Sequence, residues 1–292
     1  MKHSLFVTIA LSILLFLASF SDSASKRVVV PTRQGWHKDL PELKGDVESV
    51  THVQYTTSLK GGKLEKRCVS REVFRFNQRG DVVEKVDYLG SDILWMRCEY
   101  TYDEEHRMTE EAWFRSNGLL DWNARYRYDE RGALVEEIRY NSAGVMTGRA
   151  LFAYDDADRK KEEAVYDENN ELQSLILNSY DDKGNLVVDA GYYVDGTIDY
   201  MLKYGYDAEG REVAFVECDV DGVPFRMTTI EYDVDGQIIT ESMIDGSVTS
   251  KTKVVYEYDA KGNVVRTTQT SIVPQPSTFC DSFITEFDIT YR

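Results

Sequence analysis

A tyrosine that returns every 26 residues constrains this chain more than any other feature. Phe76, Tyr102, Tyr128, Tyr154, Tyr180, Tyr206, Tyr232 and Tyr258 stand at unbroken spacing, followed by Asp in seven cases and by Asn77 in the first. Aromatic residues are only 12% of the sequence, so eight in register mark one structural unit used repeatedly. A second aromatic follows twelve residues on, as Tyr88, Phe114, Tyr140, Tyr166 and Tyr192.

Within a repeat the apolar period is 2. With the key tyrosine as position zero, apolar columns fall at −2, 0, +6, +10, +12, +18 and +22, as in Tyr126, Tyr128, Leu134, Ile138, Tyr140, Met146 and Ala150. Odd positions carry Arg127, Glu137, Arg139, Thr147 and Arg149. That alternation predicts half-buried strands with all even columns on one face. Two turns punctuate each unit. In Asp129-Glu130-Arg131-Gly132 the Asp carboxylate is placed to accept backbone N–H groups and Gly supplies positive φ, and Asn141-Ser142-Ala143-Gly144 repeats the device. Each unit is therefore two strands joined by tight turns, and no segment reads as a helix. The predicted fold is all-β, an antiparallel hairpin meander of about eighteen strands. A sheet that wide, roughly 86 Å if flat, must coil its aromatic face inward into a superhelix or shell.

The ends depart from the repeat. Residues 1–24 read as a signal peptide: Met1-Lys2-His3, an apolar run from Leu5 to Phe20, then small residues. No cysteine follows the run, so a lipobox anchor is not expected, and no later stretch has the length of a membrane helix. Residues 25–42, with Pro31 and Pro41, read as a leader lying over the first strands or partly disordered. A single repeat domain is expected over 43–292. It opens on an atypical hairpin around Lys60-Gly61-Gly62 and closes, after the loop Val273-Pro274-Gln275-Pro276, on a strand that caps the last repeat edge.

The formal charge of −17 argues against nucleic acid or an anionic membrane as a partner. Cys68, Cys98, Cys218 and Cys280 suggest no disulfide framework, since the first two fall about 10 Å apart in the repeat register.

The pattern Tyr126-Arg127-Tyr128-Asp129-Glu130-Arg131-Gly132-Ala133-Leu134 resembles the YD repeats of the rearrangement-hotspot (RHS) family, and Leu43-Lys44-Gly45-Asp46-Val47-Glu48-Ser49-Val50 is similar to the start of small exported repeat proteins of Bacteroidetes. The resemblance covers residues 43 to about 270. It implies β-sheet shells or superhelices, in some members carbohydrate-binding and in others enclosing a toxin domain, for which this chain leaves no room.

No catalytic constellation is present. His37, His52 and His106 share no metal-ligand spacing, and His106 stands where other repeats have a turn glycine; no HExxH, GxSxG or P-loop occurs. Asp219-Val220-Asp221-Gly222 and Asp233-Val234-Asp235-Gly236 start like calcium loops but have Val223 and Gln237 at the fifth position, and read as turns. Neither a metal nor another cofactor is expected. Glu84, Glu110, Glu136 and Glu162 at +8 suggest carboxylates on the apolar face, where Glu110 and Glu136 would accept from Tyr100 and Tyr126 in a Tyr–Glu ladder or line a polar groove. Trp95 and Trp113, on odd positions facing away from the core, are the candidate ligand-binding residues; the leader packed over them explains them equally well.

The expected function is a secreted, periplasmic or cell-surface scaffold or binding module without catalysis, its partner a polysaccharide or a surface protein. An outer-membrane barrel and an immunity or inhibitor role are the alternatives.

Overall fold

A computed structural model describes residues 40, 43–60, 63–246, 248–272 and 282–292. The signal peptide, nearly all of the leader, the loop at 273–276 and Cys280 lie outside the described residues. Among those described there are eighteen strands and no helix. The first eight are β1 (Val47–Lys60), β2 (Lys63–Phe76), β3 (Val82–Leu89), β4 (Ile93–Tyr102), β5 (Met108–Arg115), β6 (Leu120–Tyr128), β7 (Leu134–Asn141) and β8 (Met146–Tyr154), and the last two are β17 (Val264–Ile272) and β18 (Ser282–Tyr291). Every strand pairs antiparallel with its neighbours in sequence, and β18 also pairs with β1, with Val50 opposite Ile289 and Tyr55 opposite Ile284. The predicted meander is thus a closed β-barrel. The last strand does more than cap an edge: inserted between β17 and β1, it removes both edges of the sheet.

The turns match their residues. Asp129 Oδ1 accepts from the N–H groups of Arg131 and Ala133, both at 2.9 Å, while Gly132 N–H donates to the Asp129 carbonyl at 3.0 Å. Gly132, Gly184, Gly210, Gly236 and Gly262 all have positive φ, between 81° and 93°. Where the repeat lacks glycine, His106, Asp158 and Asn170 take the same left-handed conformation. Asp219 spends its carboxylate on the N–H groups of Asp221 and Val223, which is the turn expected of it.

The side-chain alternation does not run unbroken, and this corrects the single-face expectation. Arg127 lies opposite Glu136 but Tyr128 lies opposite Leu134, so Val135 has no opposite number. The same one-residue shift occurs at all eight key positions. A β-bulge reverses which residues face which side. Positions −4, −2, 0 and +6 therefore share the inner face with +9 and +11, and +8, +10 and +12 turn outward. The inner face is identified by Phe74, Cys98 and Ala124, each 0% exposed. The +12 aromatics Tyr88, Phe114, Tyr140 and Tyr166 stand outside, each beneath an arginine: Arg71, Arg97, Arg125 and Arg149.

The key tyrosines stitch neighbouring hairpins together. Tyr102, Tyr128, Tyr154, Tyr180, Tyr206 and Tyr232 each donate to the backbone carbonyl twenty residues earlier, at 2.6–2.8 Å. They form a belt just inside the barrel end that carries the Asp-x-x-Gly turns. Leu40 and Leu43 pack against the same inner cluster as Tyr102, Tyr128 and Phe74, so the chain enters the barrel at this end.

Candidate binding site in the barrel lumen

An eighteen-stranded ring is roughly 86 Å around, wide enough that inward side chains line a lumen rather than fill it. Arg139 shows the space directly. It sits at +11 on the inner face, beside Glu137 at 2.5 Å, yet its side chain is 63% exposed. Water therefore reaches the inner wall of β7.

Around Arg139 the inner wall alternates aromatic rings and acids. Trp113 and Trp122, opposite one another on β5 and β6, stack with centroids 5.6 Å apart. Tyr126 donates to Glu111 at 2.8 Å. Farther round, Tyr200 lies over Gly191, where an added Cβ would come within 2.4 Å of its ring, and donates to Asp189 at 2.8 Å. Glu111, Glu137, Glu163 and Asp189 occupy the +9 column at intervals of about two strand spacings, and Glu241 stands two repeats beyond, past Phe215. The expected tyrosine–carboxylate pairing occurs at Tyr126–Glu111 and Tyr200–Asp189, on +9, one residue from where sequence alternation alone would put it. The +8 acids face outward into ion pairs: Glu84 with Arg97 at 3.4 Å, and Glu136 with Arg127 at 2.9 Å and Arg149 at 3.5 Å, while Glu110 accepts from Asn123 at 2.8 Å.

The two predicted tryptophans are not brought together. Trp95 is 55% exposed, on the extra residue of a second bulge between β3 and β4 at the end away from the tyrosine belt. Trp113 faces inward and packs against the inner cluster, which corrects its expected outward direction. The bulge before it, at Thr101/Tyr102, reverses its face. Trp122, Glu111, Arg139 and Tyr200 were missed as site residues because only the bulges of their repeats put them on one inner face. The +9 acids were visible in the sequence as a column, and only the bulge shows which way they point.

Burial shapes the charges of this wall. It pushes the Glu111 carboxyl up, against the lowering pull of the Tyr126 hydroxyl. Burial alone lifts Glu212 and Glu241 to about 7. On β2, burial of Glu72 is outweighed by His52 Nδ1 at 2.7 Å and Lys85 Nζ at 2.6 Å, which bring its carboxyl down to about 2. His52 is 1% exposed and stacks on Phe287 with centroids 4.9 Å apart. Cys68, Cys98 and Cys218 are free thiols, and burial raises the Cys98 thiol far above its ordinary range. His106 is held at its turn by Asp81, at 2.6 Å. Among the described residues no group of three His, Cys, Asp or Glu side chains is arranged to hold a metal ion.

No protein-family model matches the chain, and no curated protein does. Among solved structures, a porin-like protein from Bacteroides uniformis is similar over 84% of this chain and 98% of its own, at 11% identity and a TM-score of 0.45. The TcdB2–TccC3 complex, whose TccC3 component is a YD-repeat protein, is similar over 84% of this chain at 16% identity and a TM-score of 0.36. The Tc holotoxin pore of Photorhabdus luminescens is similar over 79% of this chain at 16% identity and a TM-score of 0.35. The chain spans 13% of the length of each of these two toxin structures.

Proposed function

We propose that the protein is an exported, non-catalytic binding module whose ligand is a carbohydrate chain taken into the barrel lumen. The observation that carries this reading is the inner wall around Arg139. The stacked Trp113–Trp122 pair offers an apolar platform with Glu137 and Arg139 on the next strand, and Asp189 and Tyr200 offer a further acceptor and donor farther round the same wall. A sugar ring needs both: an aromatic plane for its C–H face and charged or amide groups for its hydroxyls. The acids also disfavour an anionic ligand, so a neutral or amino sugar is the class that fits.

The test is calorimetric titration of the chain from residue 25 with a panel of neutral, amino and acidic oligosaccharides. Saturable binding of a neutral or amino sugar that falls on the order of tenfold or more in Arg139→Ala and Asp189→Asn is the expected result. Indifference to the whole panel, or binding that neither substitution alters, would overturn it.

One observation favours the outer-membrane reading: the barrel is closed and has an even number of strands. Weighing against it, mid-strand charges such as Arg97, Arg125 and Arg149 stand on the outer wall, where a spanning barrel carries an apolar band. Extraction of the exported protein by salt without detergent supports the soluble reading, and retention in the membrane pellet supports the other.

A further inference from the structure

We infer that one arc of the barrel rim docks on the surface of an anionic lipid bilayer. Most of the exposed large apolar side chains among the described residues stand at the end opposite the tyrosine belt, and on the arc from β1 to β8 they crown successive hairpin turns. Ile93 is 68% exposed, Trp95 55%, Leu119 65% and Val145 59%. Ile93, Leu119 and Val145 hold the same place, +17, in three consecutive repeats, so the sequence puts an apolar residue at each tip where turn chemistry asks for none.

The longest hairpin of the barrel rises beside them. The β2–β3 pairing ends at Ser70 opposite Leu89 and the β1–β18 pairing at Thr56 opposite Phe283, while β1 and β2 remain paired out to Lys60 and Lys63. The outer part of this hairpin, Lys60 to Arg67, carries four basic residues and one acid, Glu65, and Lys63, Lys66 and Arg67 are exposed. On the arc the other acids are engaged: Asp121 with Arg115, and Asp92 with the Ser91 hydroxyl. Lys66 is itself paired with Glu286. The remainder of the same rim carries Asp167, Glu168, Asp195, Asp219 and Asp221, and the opposite end carries the Asp-x-x-Gly turns. In a chain of net charge −17, this arc sets exposed positive charge beside exposed apolar tips, whereas on the remainder of the rim Arg226, over the Phe225 ring, is held by Glu217 and Asp245.

The occupant follows from the spacing. Adjacent hairpin tips are two strands apart, about 10 Å, so the apolar groups are separate knobs and not the contiguous patch that a protein interface buries. A fluid interface closes around each knob, Trp95 suits its headgroup layer, and anionic lipid complements the basic hairpin. This assignment is independent of the lumen reading.

The test is co-sedimentation of the chain from residue 25 with phosphatidylethanolamine–phosphatidylglycerol vesicles and with pure phosphatidylcholine vesicles, at low and high salt. The expected result is binding to the anionic vesicles that weakens with salt. It should fall on the order of tenfold or more in Ile93→Ser/Leu119→Ser/Val145→Ser and in Lys63→Glu/Arg67→Glu. These side chains are exposed, so unchanged thermal melts should accompany the loss. Failure of the wild-type chain to sediment with anionic vesicles at low salt would overturn the inference. So would binding that ignores lipid charge, or a dimer in solution that the serine variant dissolves, which would make the arc a contact between copies of the chain.

Discussion

The hydroxyl of Tyr154 donates a hydrogen bond to the backbone carbonyl of Leu134, twenty residues earlier and 2.8 Å away. Tyr154 and Leu134 belong to consecutive repeats, so the bond ties one hairpin to the next at a point where the bulge leaves the ladder irregular. Tyr154→Phe should cost about 1 kcal/mol, the net value of one such bond, and Tyr154→Ala roughly 3–5 kcal/mol through lost packing as well. Denaturant titration of both variants checks this. A phenylalanine variant as unstable as the alanine one would show that the ring contributes nothing without its hydroxyl.

Gly191 should resist any side chain. An added Cβ meets the Tyr200 ring at 2.4 Å, so Gly191→Ala is expected to cost about 1–3 kcal/mol by forcing that ring from its seat and straining its bond to Asp189. In Tyr200→Ala the space is open, and adding Gly191→Ala should then be nearly neutral. Additive losses in the double variant would mean that the ring does not rest on Gly191.

Stability should depend on Glu241 in the neutral range. Burial holds its carboxyl at about 7 in the folded barrel, against an ordinary value near 4.5 when unfolded. The folded state therefore binds more protons between these values, and stability falls as pH rises through the window, by up to about 3 kcal/mol for this one group. Glu212 works in the same direction. Glu241→Gln should raise the thermal midpoint at pH 8 relative to wild type and flatten its decline between pH 5 and pH 8. Parallel curves for the two proteins would refute this.

Glu72 should act with the opposite sign. His52 and Lys85 hold its carboxyl near 2, so its contribution is complete above about pH 4.5 and is lost as pH falls toward 2. Glu72→Gln leaves Lys85 and His52 without their shared anion and should cost about 2–4 kcal/mol at pH 7, with the gap narrowing in acid. Midpoints measured across pH 2–7 decide it, and a constant gap would exclude the linkage.

The local rules of this protein are in its sequence. Asp129 and Gly132 specify a turn because a carboxylate two to four residues before free N–H groups accepts from them and glycine alone takes positive φ without cost. Tyr128 and its counterparts specify the repeat because each is met by the same neighbours. Those interactions lie within a few residues or one repeat of each other, so periodicity reports them. Closure is different: β18 inserts between β17 and β1, joining Ile284 to Tyr55 across most of the chain, and no periodic signal carries a contact made once. The faces are different again. Val135 is an ordinary strand residue in the sequence, and only pairing with β6 shows that it has no partner and that Glu136 and Glu137 have exchanged sides. For that reason the inward acids, the inward Trp113 and the lumen site were decided by tertiary structure. A one-residue bulge costs the local pattern almost nothing, and it reverses every side chain beyond it.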